Sequence, residues 1–160
     1  MECGFPVIAR RIFCTFFFIY GLIITTAHGA LAADRALVLV RSEQATATAL
    51  TEQEVRKLFL GEALVKQGQL MEPLRNRTDP LLYEVFLQKI VFMSARNYER
   101  QLLSRVFRLG GQRPPAYEDL DELIAALKSN PAAVTFMWED EARTIPGIKV
   151  STQLWQGPIE

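Results

Sequence analysis

From Ala36 to Val40 the chain reads ALVLV, an unbroken apolar run rich in branched residues, which is the pattern of a buried strand. After a polar stretch from Arg41 to Ala49, LTEQEVRKLFLGE carries a set of agreeing helix signals. Thr51 and Glu54 form a capping box, Leu50 and Val55 a hydrophobic staple, Val55, Leu58 and Phe59 share one face, and Gly61 ends the element. Lys66 to Gln69 reads as a turn, and LMEPL (Leu70 to Leu74) as a short strand that Pro73 confines to an edge or an end. A second helix starts with Asp79 as N-cap and Pro80 in the first turn, and Leu82, Val85, Phe86, Ile90 and Met93 recur along it as a buried stripe.

A third helix begins at Ser94, with Tyr98, Leu102, Leu103, Val106 and Phe107 as its apolar face, and Gly110, Gly111, Pro114 and Pro115 mark the loop beyond it. YEDLDELIAALKSNP is a fourth, amphipathic through Leu120, Leu123, Ile124 and Leu127, acidic in its first turn as the helix dipole favours, and stopped at Asn130-Pro131. AVTFMW and IKVST read as two further strands. The order strand, helix, strand, three helices, strand, strand predicts one α/β domain, helices packed against a small mixed sheet.

The N-terminal stretch is set apart from this pattern. Arg10 and Arg11 precede an almost charge-free run from Ile12 to Ala27, and Ala30-Leu31-Ala32 is a small-residue sequence of the kind cleaved by signal peptidase. The expectation is a secretory signal peptide over 1–32 and a domain over 33–160, placing the protein in the periplasm. The apolar run is shorter than the ~20 residues of a spanning helix, and Arg10-Arg11 leaves the general and the twin-arginine routes both open.

Cleavage there changes the accessible chemistry, because it removes Cys3, Cys14 and His28 together. Residues 33–160 then hold neither cysteine nor histidine, so disulfides, thiolate or imidazole metal sites, and nucleophiles served by a histidine base are all excluded. No paired-carboxylate or Ser-Lys set replaces them, and the expectation is a protein that is not an enzyme and carries no metal or cofactor.

Charge is balanced overall but unevenly placed. Setting aside Arg10, Arg11 and Glu2 from the 18 basic and 18 acidic residues leaves 16 against 17. Arg75 to Arg113 holds eight basic residues (Arg75, Arg77, Lys89, Arg96, Arg100, Arg105, Arg108, Arg113) and three acidic ones (Asp79, Glu84, Glu99), whereas acids dominate from Glu118 to Glu141. The basic stretch reads either as a solvated face or as a surface for an anionic partner, and export argues against nucleic acid in that role.

Four landmarks, LTEQEVRKLFLGE, GQLMEPLRNR, the helix from Asp79 with VFRLGGQRPP after it, and LKSNPAAVTFMW, resemble in content and order the solute-binding proteins of phosphate ABC transporters. The likeness is to short versions that look like one lobe of a type 2 periplasmic-binding-protein fold. It implies binding of phosphate or a similar small oxyanion, in connection with a membrane transporter or sensor. In that family the anion sits at a helix start, held by backbone N–H groups, hydroxyls and an arginine. Carried over by position, the site falls on Arg75, Arg77, Thr78 and Asp79.

Here the sequence departs from the family pattern. Asp79-Pro80-Leu81-Leu82 stands where relatives have a Ser/Gly/Thr-rich run, Tyr83 stands where short relatives have arginine, and Ala132 and Thr135 replace two glycines. A self-capping carboxylate and a bound anion compete for the same donors, while Arg75, Arg77 and Thr78 still offer charge and a hydroxyl. Two functions stay open: a solute-binding protein for an oxyanion, with altered affinity, or a ligand-free periplasmic interaction module accessory to an envelope sensor or transport system. A homodimer that rebuilds a two-lobed cleft is open too.

Overall fold

The computed structural model describes residues 34–46, 49–110 and 112–159, and the signal-peptide expectation for 1–32 lies outside them. The first apolar run extends into β1 (Asp34–Ser42), and the capping box of Thr51 and Glu54 starts α1 (Glu52–Phe59) as expected. Glu54 is further held by Lys66, whose hydrogen bond, with the Thr51 N–H, draws the carboxyl below its ordinary value. Then come β2 (Val65–Lys66), β3 (Gln69–Leu70), β4 (Glu72–Pro73) and β5 (Arg75–Asn76), short pieces where a single strand over Leu70 to Leu74 was expected. Gln67 and Gly68, both at positive φ, turn β2 back onto β3.

Next are α2 (Pro80–Phe86), a π-helical turn over Leu87–Val91, α3 (Ala95–Leu109), β6 (Ala116–Tyr117), α4 (Leu120–Ser129), β7 (Ala133–Trp138), α5 (Glu139–Ala142) and β8 (Ile148–Pro158). The main sheet has the order β4-β7-β1-β8, with β4 parallel to β7 and the other pairs antiparallel. Pro73 therefore sits on the edge strand, where its missing N–H costs no ladder bond. β5 and β6 pair in parallel beside it.

Both faces of the sheet are covered, which is why β1 and β7 read as continuous apolar runs. Leu37, Leu39, Phe136 and Trp138 face α1, α2, the π turn and α3 in one core. Phe136 stacks on Phe86 with centroids 3.7 Å apart, and Phe59 meets both rings edge-on. Val38, Val40 and Met137 face Leu123, Ile124 and Leu127 of α4 and Ala142 of α5 in the other. The described residues form one compact unit.

Two expectations need correction. The helix after Asp79 is not regular to Met93: the wider turn at Leu87–Val91 brings Phe86, Leu87, Ile90 and Val91 all to the core, and Phe92 ends it in a left-handed conformation. In α3 only Tyr98 and Leu102 are buried, whereas Leu103 and Phe107, expected on the core face, are exposed. The core ends beneath the helix's first half.

Candidate functional site

The residues carried over by resemblance lie together where β5 leads into α2, and each is already engaged. Asp79 caps α2: one oxygen accepts from the N–H groups of Leu81 (2.8 Å) and Leu82 (3.3 Å), while the other accepts from the Trp138 indole at 2.9 Å. Tyr83 N–H donates to the Asp79 carbonyl and Pro80 has no N–H, so the first turn of the helix holds no spare donor. Burial pushes the Asp79 carboxyl up, but the Trp138 and backbone hydrogen bonds and the Arg35 charge outweigh it and leave the group below its usual range. The aspartate stays ionised in the place where an incoming anion would sit.

Asn76, fully buried, builds the loop before it. Its Nδ2 donates to the Phe136 carbonyl, and its Oδ1 accepts from both the N–H (3.0 Å) and the hydroxyl (2.8 Å) of Thr78. The candidate hydroxyl donor is thus turned inward. Arg75 is not a solvated arginine: it is buried, its Nε donates to the Pro114 carbonyl, and its Nη1 lies 2.6 Å from Glu99 Oε1. Glu99 also accepts from Arg113 at 3.0 Å and faces the Tyr83 hydroxyl at 3.5 Å. Burial, then the Glu99 charge, raises the Tyr83 phenol above its ordinary value, so it remains a neutral donor.

Arg77 alone of the four candidates presents its side chain to solvent. It pairs loosely with Glu118 (3.5 Å), lies over the Tyr83 ring, and borders a groove of about 430 Å³ shared with Pro80, Tyr83, Glu84, Met93 and Ser94. On the other side of Asp79 the field is acidic. Asp140 pairs with Arg35, and burial, with the charges of Asp140 and Asp79, raises the Glu141 carboxyl. Thr135 is buried and donates to the Leu74 carbonyl, and Ala132 is buried as well.

Glu99 and Trp138 were not among the sequence candidates, although both fix the geometry of the site. Glu99 had a signal, as the one acid on a helix with four arginines. Trp138 had none, since a strand tryptophan reads as core and its indole partner lies 59 residues away.

The architecture is that of the periplasmic-binding-protein kind, a mixed α/β unit with a small mixed sheet flanked by helices. Among solved structures it is similar to an ABC-type phosphate transport receptor from Vibrio cholerae, with a TM-score of 0.54 and 12% identity over 74% of this chain and 46% of that one. The chain therefore spans less than half the receptor's length, and at this identity the likeness speaks for the fold. No protein-family model matches the sequence, and no curated protein does.

Proposed function

We propose that this chain is an exported lobe of the periplasmic-binding-protein kind, retained as an interaction module accessory to an envelope sensor or transport system. The observation that carries the reading is Asp79. A built-in carboxylate takes the two helix N–H groups, and a tryptophan indole, that would otherwise be free to hold an anion. The fold of the neighbouring phosphate receptor supports descent from a solute-binding design, and the filled helix start supports loss of that ligand.

Isothermal titration of residues 33–160 with phosphate and with sulfate at low salt tests it, and no saturable heat is expected from either. A second reading rests on the Arg77 groove, where the exposed Arg77, Tyr83 and Ser94 border one space. Saturable phosphate heat that disappears in Arg77→Ala would overturn the first reading in favour of that one.

A further inference from the structure

Helix α3 carries a surface that the rest of the described structure leaves uncovered. Opposite Tyr98 and Leu102, the residues Arg96, Arg100, Leu103 and Phe107 follow one another at spacings of four, three and four, which sets them in one stripe along the helix. Phe107 is 85% exposed and Leu103 43%. Aromatic and leucine side chains on a helix that stands clear of the core lose apolar burial unless something covers them.

The charges say what would cover them. Arg96, Arg100 and Arg108 are exposed, and none of them forms an ion pair among the described residues. The helix's only carboxylate, Glu99, is occupied by Arg75 and Arg113 on the inner side. The outer face thus presents guanidinium groups around an apolar patch with no free acid among them, which is the composition of a helix lying at an anionic membrane surface.

We infer that α3 docks this chain on an anionic phospholipid surface, with Phe107 and Leu103 entering the boundary between headgroups and acyl chains. Arg96, Arg100 and Arg108 meet lipid phosphates, for which the guanidinium fork is suited. A convex helix face with two exposed apolar side chains among these arginines fits a broad, deformable anionic surface. Among the described residues no helix is long and apolar enough to cross a membrane, so the contact is peripheral. The inference is independent of whether phosphate binds near Arg77, because it uses other residues.

Co-sedimentation of residues 33–160 tests it, using vesicles of phosphatidylcholine alone and vesicles of phosphatidylcholine with phosphatidylglycerol in equal parts. The compact unit contains both cores, and far-UV circular dichroism checks that each sample is folded. The chain is expected to bind the anionic vesicles, to be released by salt, and to ignore the neutral ones. Phe107→Ser and the triple variant Arg96→Glu, Arg100→Glu, Arg108→Glu each weaken binding about tenfold or more while the dichroism stays unchanged. In Phe107→Trp, tryptophan emission shifts to the blue on adding anionic vesicles. Failure of the native chain to bind overturns the inference, and so does binding that both variants retain. A dimer in sedimentation equilibrium that Phe107→Ser abolishes would instead assign the face to a second copy.

Discussion

Asp79 satisfies three donors with two oxygens, and this explains both the firmness of the helix start and its unsuitability for an anion. Its lowered pKa has a direct consequence for stability. The contribution of the ionised group is fully present above the unfolded aspartate value of about 3.9 and is lost as pH falls through the lower folded value. Urea midpoints of the native chain and Asp79→Asn should therefore differ by a constant amount from pH 5 to 8 and converge in stronger acid. A gap that widens on acidification would contradict the assignment. Glu99 makes a second residue-level prediction. Glu99→Ala strands the buried Arg75 guanidinium and should cost about 2–4 kcal/mol, less than a fully enclosed pair because Glu99 is a third exposed, whereas Arg113→Ala at the exposed end should cost under about 1 kcal/mol. Equal losses in chemical denaturation would mean that Arg75 has another partner. Caps such as Asp79 were legible in the sequence because their partners lie within four residues. The Arg75–Glu99 pair was not, because its partners lie 24 residues apart and only the tertiary packing of α3 joins them.

Elements whose reasons are local came through the sequence almost intact. α1 begins at the capping box, α4 stops before Asn130-Pro131, and β7 coincides with AVTFMW. Thr51→Ala should remove the α1 cap at about 1 kcal/mol, read from thermal or urea unfolding. The π turn escaped, since inserting one residue per turn leaves no compositional mark, and helical periodicity alone kept Met93 in the stripe. The α3 face escaped for a different reason. Periodicity identifies an apolar face but not whether the core is long enough to cover it, and here Leu103 and Phe107 lie beyond its reach. Phe136 shows the opposite case, a residue whose importance comes from three elements meeting. It is stacked on Phe86 of α2 and touched by Phe59 of α1, so Phe136→Ala should cost about 3–5 kcal/mol. A loss below 1 kcal/mol would show that the two helices close over the gap.

For the molecule as a whole, a small mixed sheet flanked by helices carries a helix start that is closed with the chain's own groups. The groups around it agree in direction: a carboxylate cap at Asp79, a buried Thr135 hydroxyl bonded to the Leu74 carbonyl, and the acid Glu141 of α5 near Asp79. The α/β class and the small mixed sheet were readable from the order of elements. That the cradle is filled was readable only in part, from Asp79, because the indole of Trp138 and the inward turn of Thr78 depend on the sheet being assembled. The N–H signals of Leu81 and Leu82 and the Trp138 indole, followed by heteronuclear NMR during a phosphate titration near neutral pH, report directly on whether the seat is taken. They should stay in place throughout and move only when acid protonates Asp79. Saturable shifts of these three signals with phosphate at neutral pH would show an anion displacing the carboxylate, and would contradict a helix start closed by its own side chain.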